Sequence, residues 1–363
     1  MQKKRFFYTT RKLLVYAAIA GGLNACDWIR DDSLPPCEYR LRFVYDYNMK
    51  FADAFQHEVD QVTLFLCDQQ GTFIESRHIE GDELKANNVR LDLAPGTYYL
   101  VSWAGLDKQT YTPPQLTPGS STIQDIRVRT LRNTDNTQPN ELHPLWHGLD
   151  TLVVTGTEHQ EKVIGLDKDT NKLRFVLQNV KGDNMDVNDF TFRIIADNGY
   201  MEYDNSLLSD PKITYLPYYT ENVEISADPD PDTTVSDQLV AVAEMNTMRL
   251  MADKNYRLIV RHKKFENDVL NINLNTYLLL SKMEGHKISA QEYLDRQDEY
   301  SIIFFLTPIE CPDCPDPEPD PEPDPDPDPE PDPDPDPTPP VIGYDCYVIQ
   351  VKDWVIRLNQ VDL

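Results

Sequence analysis

Between Pro312 and Pro340, proline stands at almost every second position and alternates with Asp or Glu, so this stretch holds fifteen of the chain's 28 prolines. Proline lacks an N–H and fixes its φ angle, so such a run joins neither a helix interior nor a sheet ladder. The same stretch carries twelve acids and no Lys or Arg, and like-charge repulsion keeps it in water. It is an insertion and not a tail, because a strand-like pattern returns beyond it at Tyr347-Val348-Ile349-Gln350-Val351. The segments on its two sides are expected to share a sheet, with 312–340 projecting from it as a disordered acidic loop.

At 363 residues the chain exceeds what one hydrophobic core serves, so two domains are expected. A hydrophobic content of 40% is enough for two cores and excludes global disorder. The net charge of -27 repels a phosphate backbone, which excludes nucleic acid as a partner.

The first residues bear on the compartment. Lys3, Lys4, Arg5, Arg11 and Lys12 precede the uncharged run Leu13 to Leu23, an n-region followed by an h-region. As a helix that run reaches only about 16 Å, roughly half a bilayer's hydrocarbon thickness, so it reads as a secretory signal and not a span. Leu23-Asn24-Ala25-Cys26 follows at once and resembles a bacterial lipobox. Residues 1–25 are then the signal peptide, Cys26 the lipid attachment site, and 26–36 a tether. Each buried methylene contributes about 0.8 kcal/mol, and more than one acyl chain gives durable anchoring. The competing reading is an ordinary signal with Cys26 as a disulfide partner.

The body reads as strands. Tyr39, Leu41, Phe43 and Tyr45 alternate with polar residues, as do Val62, Leu64 and Leu66, which end at Asp68-Gln69-Gln70-Gly71, a hairpin turn. Ala94-Pro95-Gly96-Thr97 suggests a type II turn before the β-prone run Tyr98 to Trp103. A second series lies at Lys172 to Leu177, Phe190 to Ile195, Tyr256 to Val260, Ile272 to Leu280 and Tyr300 to Leu306. The last segment changes parity near Lys352-Asp353, which calls for a bulge or tight turn. Ser289-Ala290-Gln291-Glu292 is a capping box that predicts one short helix over 291–297. The fold class expected is all-β, with sandwiches at 37–160 and 161–363.

Chemistry is hard to find. Cys311-Pro312-Asp313-Cys314 has metal-ligand spacing but lacks a second pair, and in an exported protein a disulfide from Cys346 to Cys311 or Cys314 is the better reading. Cys37 and Cys67 could bridge if the first two strands are neighbours. His143 and His147 stand at i and i+4, but Pro144 disfavours a helix and no glutamate follows His143, so a turn packing Leu145 and Trp146 is expected. Asp228, Asp230 and Asp232 lack the glycine and glutamate of a calcium loop. No nucleophile elbow, phosphate loop or dinucleotide fingerprint is present, so no enzyme, no metal, no small-molecule substrate and no cofactor beyond the covalent lipid is expected.

Several stretches together carry a resemblance. They are Leu34-Pro35-Pro36-Cys37 after the lipobox, Phe43-Val44-Tyr45-Asp46-Tyr47-Asn48, and Leu93-Ala94-Pro95-Gly96-Thr97-Tyr98-Tyr99 running on to Leu106. In the second half they are Gln291-Glu292-Tyr293-Leu294-Asp295-Arg296-Gln297-Asp298-Glu299-Tyr300 and Ile349 to Arg357. The chain resembles the FimB/Mfa-type fimbrial anchor lipoproteins of anaerobic Gram-negative bacteria, and departs from them by the Pro-Asp insertion. The resemblance implies two tandem transthyretin-like Greek-key sandwiches on an outer-membrane lipid anchor at the cell surface. It implies fimbrial stalk subunits as partners, and a task of holding the fimbria's base and limiting its length. A sheet edge could serve it by accepting a strand from a stalk subunit. The alternative is a surface glycan-binding lipoprotein using Tyr218-Tyr219 or Trp146.

Overall fold

The computed structural model describes residues 38–225, 238–282, 287–311, 340–351 and 354–357. The first half supplies β1 (Tyr39–Val44), β2 (Gln61–Asp68), β3 (Phe73–Glu80), β4 (Val89–Leu91), β5 (Gly96–Ala104) and β6 (Tyr111–Thr112). It continues with β7 (Val128–Thr130), β8 (Thr137–Gln138), β9 (Trp146–Val154), β10 (Gln160–Gly165) and β11 (Asp167–Lys168). The second half holds β12 (Thr170–Asn179), β13 (Phe190–Ala196), β14 (Tyr200–Met201), β15 (Ile213–Tyr215), β16 (Tyr219–Ile225) and β17 (Gln238–Met248). It ends with β18 (Arg257–His262), β19 (Asp268–Asn273), β20 (Glu299–Glu310), β21 (Val341–Val351) and β22 (Trp354–Arg357). Among the described residues, four short α-helices are α1 (Phe55–Glu58), α2 (Gly81–Ala86), α3 (Leu274–Leu280) and α4 (Ala290–Arg296).

In the first half a three-stranded sheet, β10-β1-β4, faces a five-stranded one, β11-β9-β5-β2-β3. In the second, a six-stranded sheet β16-β17-β12-β20-β21-β22 faces β19-β18-β13-β15-β8. The all-β expectation holds. The sheets change over at Asp169, so β10 and β11, beyond the expected boundary at 160, belong to the first half.

The alternation read from sequence explains the first core. Leu41, Phe43, Leu64, Leu66, Leu100 and Ile164 point inward and are fully buried between the two sheets. β2 and β5, however, are buried on both faces. Phe65, Val101 and Trp103 point the other way, into a second cluster that continues through Tyr111 and Leu145 to Phe175, Ile194 and Phe304 of the second half. The halves are thus joined by a shared apolar layer, each fully buried large side chain contributing about 1.5–3 kcal/mol. Short strands stitch the same seam: β7 lies between β6 and β14, and β8 pairs with β15.

The hairpin turn at Gly71 forms as expected, with φ at +80° and the Gly71 amide donating to the Asp68 carbonyl at 2.9 Å. Gly96 does not take a positive φ, because it already pairs with Val154 as the first residue of β5. The stretch expected as one strand from Ile272 to Leu280 splits at Asn273 into β19 and α3. Leu274 and Leu278, one helical turn apart, bury the same face, a period that a short apolar run does not declare. Ser289 caps α4 as predicted, its hydroxyl accepting from the Glu292 amide at 3.0 Å. β21 and β22 pair antiparallel with Val351 opposite Trp354, while the parity change expected at Lys352-Asp353 itself lies outside the described residues. β20 and β21 do share a ladder, from Ile302↔Val351 to Glu310↔Val341, across the base of the insertion. There the Cys311 amide donates to the Pro340 carbonyl at 3.1 Å.

Candidate assembly edge and anchor strand

Cys26 and Cys37 lie outside the described residues, and β1 is the first described strand after them. β1 is the central strand of its sheet, parallel to β10 from Tyr39↔Gln160 to Val44↔Gly165 and antiparallel to β4 from Tyr39↔Leu91 to Leu41↔Val89. Where β4 stops, side chains take over. The Asn87 amide accepts from Phe43 N–H and donates to Phe43 C=O, both at 2.8 Å, and so imitates a strand rung. Asn87 sits at φ 45°, a left-handed conformation that asparagine tolerates, as the residue closing α2. Asp53 Oδ1 then accepts from Tyr45 N–H at 3.0 Å, and Ala54 N–H donates to the Tyr45 carbonyl at 2.9 Å. At the opposite end, Glu38 accepts from Arg40 at 2.6 Å and meets Arg90 at 3.3 Å, which hold its carboxyl below the usual range.

Beyond β1 the chain docks on the second half. The Arg296 guanidinium lies 4.0 Å from the Tyr47 ring centre and 4.7 Å from that of Phe51, and Met49 N–H donates to the Arg296 carbonyl at 3.1 Å. Lys168 binds Glu58 at 3.0 Å and Asp298 at 2.5 Å across the same seam. Deeper in, Arg249 makes a fork-to-fork pair with Asp295 at 2.8 and 2.9 Å. Asp169 beside it is fully buried, and burial raises its carboxyl well above the carboxylate range.

Sheet edges are closed by different means. β3 exposes Glu75, His78 and Glu80, with the half-buried Arg77 donating to the Arg90 carbonyl at 2.6 Å. β4, β6, β8, β11 and β14 are three residues or fewer. Asn267, just before β19, donates to the Tyr344 carbonyl at 3.0 Å and ties that edge to β21. β16 differs. It runs seven residues in unbroken register with β17, from Tyr219↔Glu244 to Ile225↔Gln238, and no backbone hydrogen bond among the described residues reaches its outer edge. Tyr219, Val223 and Ile225 share its outward face, with Tyr219 45% and Ile225 41% exposed. The face continues inward over Val242, Val176 and Ile303, matched rung by rung across β17, β12 and β20. At the seam end of β16, Arg174 binds Glu244 at 2.5 Å, Tyr218 donates to Glu244 at 3.0 Å and Tyr219 to Glu221 at 2.7 Å.

Other expected sites are placed as follows. Trp146 is 1% exposed, packed on Tyr45 with ring centres 6.0 Å apart, so it offers no surface to a sugar. Leu145 and Trp146 pack inward as expected of a non-helical segment. His147 is buried in β9 and within hydrogen-bonding distance, 2.8 Å, of the Tyr203 carbonyl; desolvation pushes its pKa down to about 4. Its partner in the motif, His143, meets Asp60 at 3.4 Å instead. Asp228, Asp230, Asp232 and Cys314 lie outside the described residues.

Neither expected disulfide forms with the cysteines named for it. Cys67 and Cys346 are buried free thiols, and Cys311 is disulfide-bonded to neither. β1 and β2 lie in different sheets, so the condition for a Cys37–Cys67 bridge fails. Cys346 faces Leu306 in the ladder, five extended residues short of Cys311. That is roughly 16 Å along the strand, far beyond the reach of a disulfide. Burial pushes the Cys346 thiol up to about 12 and that of Cys67 to about 11.

A family model of the fimbrillin-A associated anchor proteins Mfa1 and Mfa2 matches residues 34–360. The chain belongs to the Mfa2 family. No curated protein matches it in sequence. Among solved structures, a candidate polysaccharide-binding protein of Bacteroides thetaiotaomicron is 34% identical with a TM-score of 0.71, covering 90% of this chain and 100% of its own. A candidate adhesin of the same species is 31% identical with a TM-score of 0.71, at the same coverages. The fimbrial anchor protein Mfa2 of Porphyromonas gingivalis shares the fold at 15% identity and a TM-score of 0.61, covering 89% of this chain and 99% of that one. As an Mfa2-family member the chain is a fimbria-associated cell-surface protein and not an enzyme. The family's sandwich fold is the one expected from alternation. Sequence reading missed β16, although Tyr219, Val223 and Ile225 alternating with polar residues is the period-two signal of a strand.

Proposed function

We propose that this protein is a lipid-anchored fimbrial anchor. Acyl chains on Cys26 tether it to the outer membrane, and β16 accepts an extended strand from a fimbrial stalk subunit. The observation that carries the reading is the edge of β16, seven residues in unbroken register with β17 whose outer side meets no backbone hydrogen bond among the described residues. An added strand would extend the six-stranded sheet, each backbone hydrogen bond contributing about 1 kcal/mol net. Its alternate side chains would lie beside Tyr219, Val223 and Ile225 and give selectivity. Contact with the stalk at this edge would fix the fimbria's base and bear on its length.

Two experiments test the two parts. Deleting the terminal strand of the stalk subunit is expected to abolish copurification with this protein; undiminished copurification would defeat strand addition. Radioactive palmitate should label the wild-type chain and not Cys26→Ser, and equal labelling would refute the attachment site.

A second reading, surface glycan binding, draws on the description of the 34% identical neighbour and on exposed Tyr219 beside Arg174, Glu221 and Glu244. Retention on a polysaccharide array that Tyr219→Ala abolishes, without any stalk subunit bound, would favour it.

A further inference from the structure

The strand that follows the proposed tether is held on both sides. Glu38 lies at the end of the first half remote from the seam, because β1 runs from the Tyr39–Gly156 contact toward Tyr47 and Arg296. Tension between a membrane at the amino terminus and a fimbria on the second half would therefore draw β1 lengthwise out of its sheet. A strand pulled along its axis loads its rungs together, whereas one pulled sideways loses them singly. β1 is hydrogen-bonded on both sides: by β10 along its whole length, and by β4, Asn87 and then Asp53 with Ala54 in succession on the other. Its inward side chains, Tyr39, Leu41, Phe43 and Tyr45, are all buried, with Phe43 stacked on Phe55 at 5.8 Å between ring centres. The chain leaving it is seated on Arg296, at the end of α4, which leads directly into β20.

We propose that β1 is a shear clamp, a mechanical element that passes tension from the envelope tether through Arg296 into the second half. The proposal rests on the anchor reading only for the direction of the load. Asn87 is a positioning residue in it: it completes the ladder where β4 ends.

The test stretches the full-length chain carrying Cys26→Ser in an optical trap, with one handle fused at the amino terminus and the other on Val180→Cys, an exposed site beyond the far end of β12. The clamp predicts that the first event releases the first half as one step, on the order of 400 Å of chain. A first step of only about 50 Å, the length expected if β1 and its loop peel away alone, would overturn it. Asn87→Gly keeps the left-handed backbone and removes both side-chain rungs, so it should lower the force of that event. It should leave unchanged the force measured with both handles in the second half, at Val180 and Asp253. A fall of equal size in both geometries, or in neither, would reduce Asn87 to an ordinary structural residue and defeat the proposal. Should Asn87→Gly not fold, Asp53→Ala removes the neighbouring rung and makes the same comparison. The trap measurement does not depend on acylation, so the clamp and the anchor can fail separately.

Discussion

β1 and β16 are of similar length and lie in different sheets, but one is hydrogen-bonded on both sides and the other on one. β1 is closed by two strands and by the Asn87 and Asp53 side chains; β16 leaves its outer rungs unmet among the described residues. On the proposed function, the difference would assign holding to the first half and joining to the second. A strand that must not slip is put in the middle of a sheet, and a strand that meets a partner is put at a margin.

The comparison can be broken most severely at β1. Phe43→Ala removes a fully buried ring and is expected to cost about 3–5 kcal/mol in denaturant unfolding. Because the second cluster spans both halves, loss should come as one transition, and two separated transitions would show that the halves do not share a core. Asp169 sharpens the role of the seam. Its folded pKa is raised, so the stability it contributes is full below the unfolded value and is lost as pH rises through the folded one. Asp169→Asn should flatten that slope and stabilise the chain at neutral pH by about 1–2 kcal/mol, read from unfolding at acid and neutral pH. Halving the Pro-Asp run should change the unfolding free energy by no more than about 0.6 kcal/mol. Smallest is Ile225→Lys, expected to stay within about 0.5 kcal/mol of wild type while lowering stalk copurification. Unchanged copurification would remove β16 from the assembly surface.

Most of the sandwich was legible because alternation is a local signal. Tyr39, Leu41 and Phe43 declare β1 without help from the rest of the chain, as Ser289 declares α4. What stayed hidden was set by distant partners. Leu100 through Ala104 are buried on both faces of β5, which reads as a merely apolar run until the second half is seen to cover it. The two-residue strands β8 and β14 carry no period at all, and exist because β15 and β7 lie beside them. The edge strand was obscured for the opposite reason: Glu221 and Glu224 dilute its hydrophobicity, which is how natural edges avoid indiscriminate pairing.

The closed neck of the insertion has a further consequence for inheritance. Copying slippage in a repeated dipeptide adds or removes Pro-Asp units in frame, and with the Cys311 amide hydrogen-bonded to the Pro340 carbonyl neither β20 nor β21 registers the count. Lineages can therefore diverge in length at this one point while the sheets on either side stay as they are.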